Sequence, residues 1–175
     1  MPIVISALGE DRPGIVDELS RVILDHNCNI EDSRMSVLGG VFAVIQLVNG
    51  EPADIAQLPA ALQQLGEDKD LTITTRDAGE RSGTERLLPY EVTVVSLDHP
   101  GIVNNLSHFF ATRGINIQKL DTATYSAAHT ATPMFSVRIT LEIPAGQSLN
   151  ELREDFYELC DDLNLDGIID AVRPD

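Results

Sequence analysis

The sequence predicts an α+β fold made of two copies of one βαββαβ unit, and three observations carry that prediction. The segment Asp11-Arg12-Pro13-Gly14-Ile15-Val16 recurs as Asp98-His99-Pro100-Gly101-Ile102-Val103, and the match runs without a gap from Asp11 to Ile30 with nine of twenty positions identical. Identity at that density, prolines and glycines included, marks an internal duplication. Each copy then shows the same succession of short Val/Ile-rich runs and longer stretches with apolar residues at helical spacing. Between the copies lies Arg76–Arg86, a short charged segment with Gly and Ser that reads as a linker. The first domain is expected over residues 1–75, the linker over 76–86 and the second domain over 87–175.

Ile3–Leu8 and Glu91–Leu97 are apolar, β-branched runs and read as the opening strands. After a turn, Ile15, Leu19, Val22 and Ile23 share one helical face, as do Ile102, Leu106, Phe109 and Phe110. Both helices should stop at a residue that tolerates left-handed backbone, Asn27 in one copy and Gly114 in the other. Two strands follow. In the first copy they are Asn29–Leu38 and Val41–Val48, joined by Gly39-Gly40, a tight hairpin signal. In the second they are Ile115–Ala127 and Met134–Ile143, joined by a longer loop around His129. The first strand of each pair is mixed in polarity, as suits a sheet edge. Val41–Val48 is almost wholly apolar, as suits a central strand covered on both faces.

Ile55, Leu58, Leu62 and Leu65 mark a second helix, as do Leu149, Leu152, Phe156, Leu159 and Leu163. Short strands at Asp70–Thr75 and Gly167–Arg173 close the units. This order is the ferredoxin-like arrangement, a four-stranded antiparallel sheet with both helices on one face. The bare face is expected to be covered by the sister domain or another chain, because a unit of about 85 residues gains stability from such packing. Function then belongs at domain–domain contacts.

Charge narrows the function classes. The chain has 175 residues, 43% of them hydrophobic, with 28 Asp plus Glu against 12 Lys plus Arg and a formal net charge of −16. A packed core is expected, and disorder is not. So acidic a surface repels phosphate backbones, and neither a basic run nor a helix-turn-helix pattern offsets it, so direct nucleic-acid binding is not expected. Met1–Leu8 lacks the positive charge of a signal peptide, and no apolar run approaches the ~20 residues of a membrane span. Cys28 and Cys160 stand in no metal or redox spacing and read as reduced thiols of a cytoplasmic protein.

The turn between the first strand and the first helix has a purely structural reading: the Asp caps the helix, Pro presets its first turn and Gly permits close packing. The same turn also offers chemistry. A helix N-terminus presents free backbone N–H groups and a positive dipole end, which suit a carboxylate. Asp11 or Asp98 can receive an ammonium, and Asn29 or Asn116, opening the next strand, adds a neutral hydrogen bond. Together these groups complement a free amino acid.

The pattern strand–Asp-Arg-Pro-Gly–helix–Asn-Ile–strand resembles the ACT domain, a regulatory module that commonly binds amino acids. The resemblance covers both halves, through Asp11-Arg12-Pro13-Gly14 and Asn29-Ile30 in the first and Asp98-His99-Pro100-Gly101 and Asn116-Ile117 in the second, where His99 replaces the Arg. Two ACT domains without a catalytic domain look most like the glycine cleavage system transcriptional repressor family. That resemblance implies a cytoplasmic, amino-acid-sensing regulator of glycine cleavage genes, not an enzyme, acting through a DNA-binding regulator protein. It implies a small amino acid, glycine favoured, at an interface between ACT domains, held by the strand–helix turn of one and the second-strand start of another. A homo-oligomer is compatible with this. The implied ligand-binding residues are Asp11, Arg12, Gly14, Ile15 and Asn29, with Asp98, His99, Gly101, Ile102 and Asn116 in the second copy. Family members also use a His two residues before the acid, where this chain has Gly9 and Ser96.

No other constellation competes. His26, His99, His108 and His129 show no metal-ligand spacing. Gly39-Gly40 is too short for a phosphate loop, and the acidic run Glu158–Asp162 reads as a solvated helix face. Neither a metal nor a cofactor is expected. The rival readings are a structural protein–protein interaction module, whose turns only cap helices, and a small hydrolase on a ferredoxin-like fold. No nucleophile turn supports the latter.

Overall fold

The structure is a computed structural model that describes residues 2–79, 87–126 and 132–172. The chain divides into two compact units, Met1–Ser82 and Gly83–Asp175. The first runs β1 (Ile3–Glu10), α1 (Ile15–Asp25), β2 (Asn29–Leu38), β3 (Val41–Asn49), α2 (Pro52–Ile55), α3 (Leu58–Lys69) and β4 (Leu71–Asp77). The second runs β5 (Leu87–Leu97), α4 (Ile102–Ala111), β6 (Asn116–Ser126), β7 (Pro133–Pro144), α5 (Leu149–Leu163) and β8 (Asp166–Ala171). Each unit forms a four-stranded antiparallel sheet, ordered β2-β3-β1-β4 and β6-β7-β5-β8. This is the ferredoxin-like α+β fold, twice.

Strand alternation decides which face packs. Ile3, Ile5 and Ala7 of β1 and Phe42, Val44 and Val48 of β3 share one buried cluster with Ile15, Leu19 and Ile23 of α1 and Leu58 and Leu62 of α3. Both long helices therefore cover the same face. The second unit repeats this with Val92, Val94, Val137 and Ile139 against Ile102, Leu106, Phe110, Leu152 and Phe156. Along β3 burial alternates residue by residue, and Ile45, on the face without helices, is 50% exposed.

Several boundaries moved, each for a physical reason. The second helix of the first unit is broken into α2 and α3, because Pro59 in an unbroken helix would clash with the carbonyl of Ile55; instead it sits in the first turn of α3. β4 continues to Asp77, pairing Arg76 with Val4 and Asp77 with Ile3, so those two residues are strand and not linker. β5 starts at Leu87, since Pro89 pairs with Glu142 of β7 beyond the end of the β8 ladder, where a missing N–H breaks no bond on that side. Ala127, the loop around His129, and Arg173 lie outside the described residues, as does most of the expected linker.

The duplication reaches details that composition does not show. Glu31 in β2 and Gln118 in β6 are skipped by the pairing register, each forming a β-bulge at the same step of its strand. Gly39 and Gly40 turn the first hairpin with φ of 59 and 80, as a tight turn with two left-handed residues requires.

Candidate functional site

The turn after the first strand is built the same way in both units. The Asp11 N–H donates to the Gly40 carbonyl at 2.9 Å, tying the turn to the β2–β3 hairpin. The chain then passes through Gly14 at φ 96, and the Gly14 carbonyl accepts the first helical bond from the Glu18 N–H at 2.9 Å. In the second unit Asp98 N–H donates to Pro133 O at 3.2 Å, Gly101 has φ 99, and the Asn105 N–H donates to the Gly101 carbonyl at 2.9 Å. That backbone needs glycine, since a Cβ disfavours such a φ.

Here the structure corrects the simplest reading of the motif. The N-caps are Gly14 and Gly101, and neither helix receives a side-chain cap, so Asp11 and Asp98 do not cap. The first backbone N–H groups of α1 and α4 thus lack a capping side chain. The Asp11 and Asp98 side chains are exposed and make no hydrogen bond or ion pair among the described residues. Ile15 and Ile102 are core residues, each 1% exposed, so they present only backbone to the turn.

The residues beside the two acids differ. Arg12 folds back along α1, its Nη1 and Nη2 donating to Glu18 Oε1 at 3.1 Å and Oε2 at 2.6 Å. These bonds hold the Glu18 carboxyl below its ordinary range, with the Arg12 and Lys69 charges adding to the effect against some desolvation. His99 instead sets Nδ1 3.1 Å from the Pro100 carbonyl.

Asn29 and Asn116 stand elsewhere. Asn29 opens β2 opposite Asn49, while Asp11 is tethered at Gly40, next to the other end of the β2–β3 ladder. Nine strand steps at ~3.3 Å put roughly 30 Å between those ends. The second unit repeats the separation, Asn116 opposite Glu142 and Asp98 at Pro133. Within one unit, then, turn and asparagine do not meet. The positions two before the acids are also closed: a Cβ on Gly9 would come 2.4 Å from Leu71 Cδ2, and Ser96 is buried with its hydroxyl donating to the Leu97 carbonyl at 3.0 Å.

Two features escaped the sequence reading. One is the ion cluster of Arg12, Glu18 and Lys69, whose Nζ lies 3.7 Å from Glu18 Oε1. The other is an open groove of 560 Å³ between α1 and the start of β2, lined by Asp17, Arg21, Leu24, Cys28 and Asn29 among others. Elsewhere the chemistry is quiet. His26 Nδ1 bonds the Val22 carbonyl at 2.8 Å. Cys28 and Cys160 are buried free thiols, and burial pushes Cys28 up and Cys160 up to about 11, so both stay protonated at neutral pH. Among the described residues no three His, Cys, Asp or Glu side chains group to hold a metal, and no helix is long and apolar enough to cross a membrane.

Comparison with known proteins places this architecture. The ACT domain family matches residues 1–76. The glycine cleavage system transcriptional repressor of Escherichia coli (strain K12) is 32% identical over 171 residues, 98% of this chain and 90% of that protein. The chain belongs to that tandem ACT-domain family. Two solved structures align over nearly all of both chains. One, assigned as a glycine cleavage system transcriptional repressor, has a TM-score of 0.74 at 29% identity, covering 99% of this chain and 98% of that one. The other, a protein from Galdieria sulphuraria, has a TM-score of 0.80 at 28% identity, covering 98% of each. The paired Asp-x-Pro-Gly turns are accordingly the strand–helix turns of two ACT domains.

Proposed function

We propose that this chain is an amino-acid-sensing regulatory protein, not an enzyme, and that it controls glycine cleavage genes through a DNA-binding partner. The observation that carries the reading is the turn itself, built twice: a helix N-terminus without a side-chain cap beside an exposed carboxylate with no partner among the described residues. The amides suit a carboxylate and the Asp an ammonium, the two charged groups of an α-amino acid. Asn29 and Asn116 complete the site from another ACT domain. β2 and β6 are edge strands. Antiparallel pairing of such an edge with another lays the start of one strand beside the far end of its partner, which is where the turn sits. Glycine is the ligand this reading favours, because the relative named above is a repressor of the glycine cleavage system. A formal charge of −16 supports action through a partner, because binding DNA directly requires a basic surface.

Glycine has few atoms, and at roughly 1.5 kcal/mol per heavy atom its affinity is bounded near micromolar. At about 100 times its dissociation constant it should stabilise the fold by about 2.7 kcal/mol. A thermal-shift series across the amino acids measures this. Asp11→Asn and Asp98→Asn should each reduce the shift, with no cap lost. If both variants respond to glycine like the wild type, the turns are not the site. A gel shift should show no specific DNA complex with the chain alone; a salt-sensitive specific complex would overturn the partner mechanism.

A further inference from the structure

Arg12, which the family resemblance counts among the ligand-binding residues, has its guanidinium engaged with Glu18 instead, and Lys69 joins the same carboxylate. Arg12 is 35% exposed and Glu18 24%, and they form a two-pronged bond at 3.1 and 2.6 Å. Lys69, in the last turn of α3, approaches the same carboxylate at 3.7 Å. The second unit serves as an internal control. Arg12 corresponds to His99 and Glu18 to Asn105, in the register of the repeat. Lys69 precedes the left-handed Asp70 that ends α3; Leu163 precedes the left-handed Asn164 that ends α5. All three charges are absent together where the arginine is absent.

Arg12 is also the immediate neighbour of Asp11. A free guanidinium on a long side chain next to an exposed carboxylate forms an ion pair with it, and bidentate pairing is the arginine's preferred geometry. An Asp11 so occupied has no charge left for a ligand's ammonium. In the structure that does not happen, because the guanidinium fork is already spent on Glu18, which the first turn of α1 presents to it. We infer that Glu18 is a positioning residue that holds Arg12 away from Asp11, with Lys69 in support, and so keeps the first turn open to a ligand ammonium. This rests on the reading of Asp11 as the ammonium acceptor. The second turn has no arginine beside its acid and no such holder.

Two measurements test this, one of them without ligand. The first follows the NMR signal of the Arg12 side-chain Nε–Hε. In the wild-type background Asp11→Asn should leave it in place; in Glu18→Ala the same Asp11→Asn change should move it, because Arg12 has by then shifted to Asp11. The second is calorimetric titration with glycine in a chain carrying Asp98→Asn. Glu18→Ala should weaken binding about tenfold, the scale of one charge-assisted hydrogen bond. The double change Arg12→Gln with Glu18→Ala should recover to within about threefold of the parent, since nothing then competes for Asp11. A holder whose only duty was to stiffen the turn predicts the opposite, a double variant at least as weak as the single. That result, or an Arg12 signal in Glu18→Ala indifferent to Asp11→Asn, overturns the inference. Absence of glycine binding by the wild-type chain removes the amino-acid reading instead, and the Arg12 signal still decides what Glu18 does.

Discussion

Gly14 and Gly101 start their helices at φ 96 and 99, Asn27 and Gly114 end them at φ 53 and 67, and Glu31 and Gln118 form bulges at the same step of β2 and β6. Against that shared frame the side chains of the two units have parted. Ile45, exposed on the face without helices, stands at the ladder position that Arg138 holds in the second unit, where its Nε lies 3.9 Å from Glu91. Met35 and Val37 of β2 correspond in register to Thr122 and Thr124 of β6. The first core has no aromatic cluster like that of Phe109, Phe110 and Phe156, whose ring centroids lie 5.1 to 6.2 Å apart. What stayed the same is what backbone geometry demands, positive φ and strand register; what changed is charge and surface. The duplicated frame thus carries two turns of the same backbone and unlike side chains.

The largest effect expected from this comparison falls on the shared element. Gly14→Ala and Gly101→Ala each force an L-residue into a φ it rarely adopts, at a cost of about 1–3 kcal/mol. Space is not the obstacle: a Cβ on Gly14 would meet nothing within 4 Å, and one on Gly101 only Asn105 Nδ2 at 3.8 Å. Urea unfolding should therefore show similar losses for the two variants, and smaller ones for Gly→Asn, because Asn tolerates positive φ better. One glycine proving replaceable would mean that the two turns are not equivalent in backbone, and the comparison would break at its base.

The same contrast explains what could be read from the chain alone. The order of elements along the chain, the left-handed stops at Asn27 and Gly114 and the Gly39-Gly40 hairpin were legible because each depends on local pattern and conformational preference. The motif located the turns for the same reason. Its detailed chemistry was not legible. An Asp ahead of a helix looks like a cap, and only the φ of Gly14 shows that the glycine occupies that position instead. The break at Pro59 and the extension of β5 through Pro89 depend on where neighbouring ladders end, which composition does not encode. The Arg12–Glu18–Lys69 cluster joins a loop and two helices distant in sequence, so it appears only once α3 is laid against α1.

The smallest expected effect concerns the unshared element, and its sign distinguishes the units. Hydrogen bonds from Arg12, helped by the charges of Arg12 and Lys69, lower the Glu18 carboxyl below its ordinary value of 4.5. A carboxyl lowered by folding stabilises the folded chain fully above its unfolded value and loses that contribution as pH falls through the folded value. Glu18→Gln removes the charge at every pH. Wild type should therefore be more stable than Glu18→Gln at neutral pH, with the gap steady down to about 4.5 and closing below it. Because both partners are partly exposed, the gap should be smaller than either glycine effect and should shrink further in high salt. The counterpart change in the second unit, Asn105→Gln, exchanges one neutral amide for another, so its effect on stability should not change with pH over the same range. Urea unfolding of the three proteins across that range makes the comparison. A gap for Glu18→Gln that persists well below the folded value, or one that Asn105→Gln reproduces, would show that the pair with Arg12 is not its source.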